Sequence, residues 1–212
     1  MIKDFDLLQR ANNDYTTIDL EHAEELAYRE LIDSIRYISL GDECGVMGNI
    51  ANIITYKGRF YIQEEQFDRV FIYDDTGRCL KKIDNKGRGP GEYLRIESID
   101  INTEKEELML VDGMSDKLFF YDLGGNFKSI HSIRYFQTEN TLCLRDSVFL
   151  HISAPSQNFG NEGLYGYALV LSKGNENFLK GYRYLPLQVG YKGGGQIFKG
   201  YERSCYHPIY CI

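Results

Sequence analysis

An all-β fold, a row of four-stranded antiparallel units, is what this sequence predicts, and three observations lead there. The chain matches itself at an offset of 48 residues. Its middle consists of short apolar runs separated by turn signals. Its composition, 43% apolar with 17 Tyr and 12 Phe among 212 residues, can supply a core for such units.

The repeat is clearest when RFYIQEEQFDRVFIYDDTGRCL (59–80) is set over ELMLVDGMSDKLFFYDLGGNFK (107–128) without a gap. Asp68 falls on Asp116, Phe71 on Phe119, Tyr73 on Tyr121, Asp74 on Asp122 and Gly77 on Gly125, while Arg69 meets Lys117. A period of roughly 40–50 residues made of short strands points to propeller blades.

The second unit reads as strands over 96–101, 107–112, 117–122 and 126–133. Its two middle strands are almost wholly apolar, which suits sheets covered on both faces. DDTG (74–77) and DLGG (122–125) place Asp first and Gly where positive φ is needed, as hairpin turns do. The blades are expected at about 50–83, 96–133 and 141–185, with a partial fourth at 196–212. The third is read from TLCLRD, SVFLHIS, YGYALVLS and NFLKGYRYL.

Residues 1–40 form an N-terminal segment ahead of a propeller region spanning 41–212. In LEHAEELAYRELID (20–33), apolar residues at 20, 23, 26, 27 and 31 predict a short amphipathic helix. TTIDL (16–20) and SIRYISL (34–40) read as flanking strands.

GRGPGEY (87–93) has the glycine content of a phosphate-binding loop but not its spacing. A dinucleotide fingerprint, G-x-G-x-x-G, needs its third glycine three positions after the second, where Glu92 stands, and a helix behind it, and a P-loop needs Gly-Lys-Ser/Thr. Neither pattern is present, and LRIESIDIN (94–102) alternates like a strand. The stretch is expected to be a sharp connector between blades, with Gly supplying positive φ and Pro90 fixing its own.

With these residues in view, the sequence resembles NHL-type repeats, and more closely a family of six-bladed β-propeller proteins of gut bacteria, often lipoproteins. The resemblance rests on Gly87, Gly89, Pro90, Gly91, Glu92 and Tyr93, and on the turns beginning Tyr73-Asp74 and Tyr121-Asp122. It covers roughly 16–185 and fades beyond about residue 140. It implies about six blades and an export signal with a lipobox cysteine. This chain shows no such signal, and its 212 residues supply at most about four blades, so it reads as truncated: a fragment or a shortened relative. Open blade edges would favour self-association.

A net charge of −7 sets the chain against a nucleic-acid backbone or an anionic membrane as partner. No apolar run approaches the roughly 18 residues needed to span a bilayer. MIKDFDLLQRANNDY lacks the apolar core of a signal peptide, so the chain as written is expected to stay in the cytoplasm. The full-length family would be periplasmic or anchored to the outer membrane. Five cysteines form no C-x-x-C pair and no zinc spacing. Cys79 and Cys143 lie in strand-like runs and read as small buried thiols, Cys205 and Cys211 alone are close in sequence, and the odd count argues mildly against a disulfide framework.

Strand alternation places the inter-blade connector on the same face as the loops between second and third strands. GRGPGEY, 64–68, 112–116 and the long loop 153–166 should therefore share a surface. The candidate binding residues there are Arg88, Glu92, Tyr93, Glu64 and Asp112, with Asn158, Phe159 and Asn161 from the long loop. Each has a plainer reading: Arg88 and Glu92 as a loop ion pair, Tyr93 as packing beneath the connector, the acids as turn formers. There is no G-x-S-x-G elbow and no histidine pair at metal spacing, so no catalytic residue, metal or cofactor is assigned. The expected function is a non-catalytic binding module for a protein, peptide or glycan. The alternatives are an inactive fragment or a hydrolase or lyase acting on a carbohydrate or lactone at the channel mouth.

Overall fold

The structure is a computed structural model, and it describes residues 32–133, 138, 140–145, 147–152, 167–174 and 177–183. It is a β-propeller segment of three four-stranded antiparallel sheets. The first holds β1 (Ile50–Tyr56), β2 (Arg59–Glu64), β3 (Arg69–Asp74) and β4 (Cys79–Ile83). The second holds β5 (Ser98–Asn102), β6 (Glu107–Asp112), β7 (Lys117–Asp122) and β8 (Phe127–Ser132). The third holds β9 (Asn140–Arg145), β10 (Val148–Ile152), β11 (Tyr167–Lys173) and β12 (Asn177–Arg183). Every sheet is a meander, each strand pairing with its neighbours in the chain.

The order of the blades follows from which side chains alternate onto which face. Tyr61, Val70, Ile72 and Ile83 of the first sheet meet Ile99, Leu108, Leu110, Phe119 and Tyr121 of the second in one buried cluster. The opposite face of the second sheet, with Met109, Val111, Leu118 and Phe120, packs on Phe149, Tyr167 and Val170 of the third. The middle strands are apolar at successive positions because both of their faces are covered. At roughly 25 cal/mol per Å² of apolar area, these two interfaces are the main source of stability.

One local design closes three of the hairpins. Glu64, Asn102 and Asp112 each end a strand and accept hydrogen bonds from the N–H groups two and three residues on. Each loop closes with a residue in the left-handed region, Asp68 (φ 56°), Glu106 (φ 53°) or Asp116 (φ 53°). The β3–β4 and β7–β8 turns follow the pattern anticipated from the sequence. Asp74 Oδ1 accepts the Thr76 and Arg78 N–H groups, Asp122 Oδ1 accepts those of Gly124 and Asn126, and Gly77 and Gly125 take positive φ.

The first sheet's outer face is not left bare. Phe60, Ile62, Phe71 and Tyr73 are overlaid by Cys44 and Met47 of the segment before β1. Cys44 is disulfide-bonded to Cys79 on β4, 35 residues away. This corrects the sequence reading of Cys79 as a free buried thiol: the partner lies in an irregular segment, where no strand pattern signals it. Cys143 is a free cysteine, as read, but half-buried rather than buried. The segment is held further by the Gly41 N–H to the Gly77 carbonyl oxygen (2.8 Å), the Tyr73 hydroxyl to that of Gly41 (3.2 Å) and Arg36 to that of Asp75 (2.8 Å). Residues 34–40 form no ladder with any sheet, contrary to their reading as a strand, because these single contacts tie them to a turn rather than a strand edge. The N-terminal helix, the loop 153–166 and the partial fourth unit lie outside the described residues, apart from non-helical 32–33.

Candidate functional site

GRGPGEY folds back on itself. The Gly87 N–H donates to the Tyr93 carbonyl oxygen (2.9 Å) and the Tyr93 N–H to that of Asn85 (3.1 Å). Glu92 Oε2 accepts the Gly89 N–H (2.7 Å), and a Cβ on Gly87 would sit 2.0 Å from that oxygen. Gly91 has φ of 81°. The glycines therefore let the chain reverse within a few residues while Glu92 caps the reversal.

Tyr93 is wholly buried beneath this connector. Its hydroxyl donates to the Asp68 carbonyl oxygen (2.8 Å) and accepts the Asn85 N–H (3.1 Å), and its ring meets Phe119 edge-on. Burial pushes its pKa above the ordinary tyrosine range. Asp68 closes the other side: Oδ1 accepts the Ile96 N–H and Oδ2 pairs with Lys86.

The connector also reaches the next hairpin. Asp112 Oδ2 accepts the Leu94 N–H (2.7 Å) and the Ser115 hydroxyl (2.7 Å). Connector and both hairpin loops thus stand together at one end of the blades, and Glu64, Asp112, Arg88, Glu92 and Tyr93 gather around them. Asn158, Phe159 and Asn161 lie outside the described residues.

These residues differ in what they can offer. Glu64 and Asp112 are buried, and the carboxylate oxygens of each accept hydrogen bonds from their own loop or the connector. Such carboxylates hold their own loop and the connector in place. Arg88 is exposed and, among the described residues, makes no ion pair, with Glu92 or otherwise. Two apolar tips stand in solvent at the same end: Phe67 is 46% exposed and Met114 65%. The Arg69 guanidinium lies 4.4 Å from the Phe67 ring centre, and Arg69 pairs with Asp84 at 3.2 Å. The sequence reading passed over Phe67 and Met114, although each sits between the loop's capping acid and its closing Asp.

A hydroxyl–imidazole–hydroxyl chain lies elsewhere, between the second and third blades. His151 Nδ1 is 2.9 Å from Thr141 Oγ1 and Nε2 is 2.8 Å from Ser172 Oγ. His151 is buried, and burial lowers its pKa to about 4, so it is neutral at physiological pH. Both ring nitrogens are engaged by these hydroxyls, which satisfies polar atoms buried in the core. Among the described residues no three His, Cys, Asp or Glu side chains cluster as metal ligands, and no helix is long and apolar enough to cross a membrane.

Comparison with known proteins agrees with this architecture. The model of DUF4934, a domain of unknown function, matches residues 15–207. A Bacteroides fragilis protein named as exported by inference superposes with a TM-score of 0.63 at 19% identity, over 74% of this chain and 44% of its own. The chain thus spans less than half the length of that protein. Weaker likenesses include the β-propeller domain of Cps50 (Swd1) from Myceliophteria thermophila, with a TM-score of 0.37, 15% identity and 71% and 44% of the two chains covered. Another is a DUF4221 family member from Bacteroides vulgatus, with a TM-score of 0.39, 9% identity and 60% and 40% covered. No curated protein matches the sequence.

Proposed function

Since the chain belongs to the DUF4934 family over residues 15–207, we propose that it is a non-catalytic propeller module that binds a protein or peptide partner through the connector end of its blades. The observation that carries this reading is the division of labour there. The acids are taken up by backbone N–H groups, while Phe67, Met114 and Arg88 remain exposed. Aromatic, methionine and arginine side chains on a rigid base are the composition of a binding surface.

The same proposal places the module in an exported, oxidising compartment. The Cys44–Cys79 disulfide supports this, because such bonds persist there and are rare in the cytosol. The name of the Bacteroides fragilis neighbour agrees with it. The finer resemblance, to six-bladed propellers with NHL-like repeats, is part of the proposal and rests on the GRGPGEY connector and the 48-residue period.

The test is a selection of peptides from a random library against the whole chain. Selected peptides should bind Phe67→Ser, Met114→Ser and Arg88→Ala variants at least about ten-fold more weakly, a loss of roughly 1.4 kcal/mol. Peptides that bind all three variants as tightly as the parent would overturn the reading.

A further inference from the structure

The outer rim between the first and second blades opens into a cleft of about 260 Å³. Lys81, Lys82 and Asn85 are among the residues that line it from the first blade, and Gly125, Asn126 and Phe127 line it from the second. This is a little below the roughly 300 Å³ at which ligand pockets usually begin. Its walls are fixed to each other. Arg59 Nη1 (2.8 Å) and the Tyr61 hydroxyl (3.0 Å) both donate to the Leu123 carbonyl oxygen across the blade boundary. Gly125 has φ of 81°, and a Cβ there would come within 2.9 Å of both Ile72 Cδ1 and Lys81 Cγ.

The groups presented to the cleft are chemically distinct. Phe127 is 45% exposed, with its ring held edge-on against Tyr121 at 5.7 Å. Lys81 makes no ion pair among the described residues, whereas Lys82 beside it pairs with Asp84 at 3.3 Å. Asn126 spends its N–H₂ on Asp122 Oδ2 (2.9 Å), which leaves its carbonyl oxygen as an acceptor. The Asp122 carboxylate is occupied by this donor and two backbone N–H groups. The buried Tyr121 hydroxyl lies beside the Asn85 side chain.

The next blade boundary is an internal comparison. Ser129 stands 48 residues after Lys81, and Phe178 sits in the core between blades. Among the described residues a cavity there, lined in part by His131 and Phe178, measures about 10 Å³, room for about one water. Among the described residues the two boundaries therefore differ in the space they leave.

The geometry points to this cleft as a binding site for an acidic sugar, a pyranose ring bearing a carboxylate. The ring's C–H face packs on Phe127, its hydroxyls meet the Asn85 and Asn126 amides, and its carboxylate pairs with Lys81. The cleft borders the connector through Asn85, whose backbone is bonded to Tyr93, but it uses none of the exposed Phe67, Met114 and Arg88 side chains and does not rest on the partner proposed there.

Glucuronate and galacturonate tetrasaccharides, with maltotetraose as the neutral control, should be titrated into the whole chain by calorimetry and amide NMR. Saturable binding near 1 mM, about −4 kcal/mol, is expected for an acidic probe, with shifts centred on Lys81, Gly125 and Phe127. It should weaken about ten-fold or more in Lys81→Gln and in Phe127→Leu, and stay unchanged in Ser129→Ala. Lys81 is exposed, so Lys81→Gln should melt like the parent. No shifts at these amides, equal binding of maltotetraose, or unchanged affinity in Lys81→Gln would each overturn the assignment.

Discussion

The Tyr93 hydroxyl bridges two backbones that belong to different elements, donating to the Asp68 carbonyl oxygen at 2.8 Å and accepting the Asn85 N–H at 3.1 Å. One side chain thereby locks the β2–β3 loop to the connector that leads into the second blade. Tyr93→Phe keeps the ring and its contact with Phe119 but strands both backbone groups. Each orphaned buried polar group costs about 1–3 kcal/mol. Chemical denaturation should show a loss of about 2 kcal/mol with an unchanged m-value. A loss below the error of the fit would mean that water replaces the hydroxyl.

The Cys44–Cys79 bond closes a 35-residue separation. Chain-entropy reasoning assigns a loop of that length about 4 kcal/mol of stabilisation. Adding dithiothreitol should lower the denaturation midpoint, and the Cys44→Ser, Cys79→Ser double variant should match the reduced parent and ignore reductant. Thiol titration of the unfolded chain, with and without reductant, counts the bond independently. An equal thiol count in both samples would remove the case for an oxidising compartment.

His151 makes stability depend on acidity. Its pKa in the folded chain, about 4, lies below the unfolded value of about 6.5. The unfolded chain therefore binds more protons between those values, and stability rises with pH across the window. It is complete above pH 6.5 and falls as the pH drops towards 4, by at most about 3 kcal/mol. His131 is shifted the same way, chiefly by burial, and adds to the slope. Denaturation midpoints measured from pH 4 to 7 should flatten in a His151→Gln variant. A slope unchanged by that substitution would assign the effect to other groups.

What the sequence made legible was whatever repeats locally. β6 (Glu107–Asp112) and β7 (Lys117–Asp122) have the bounds read from their apolar runs, and the Asp74 and Asp122 turns have the predicted chemistry. Local periodicity sees these features because the groups that make them lie within a few residues of one another. Cys44 and Cys79 were missed because their pairing joins an irregular segment to a strand. Lys81 and Phe127 were missed for a related reason: they come together across a blade boundary from non-equivalent positions of two repeats. Glu64 and Asp112 show a third difficulty. An acid at the end of a strand reads alike whether it faces a ligand or ties down its own loop, and only the hydrogen bonds distinguish the two.

The overlay of residues 41–47 on the first sheet bears on how the protein carries mechanical load. A pull on the chain ahead of residue 44 reaches Cys44 and passes through a covalent bond directly to β4, at the far edge of the sheet. The residues between 44 and 79, including β1, β2 and β3, are bypassed by the force. The first blade then cannot be unzipped strand by strand from that end, and the extension released before the second blade is loaded shortens accordingly. Reduction of one bond would restore the missing length, so in this domain a thiol sets the distance the chain can be drawn out.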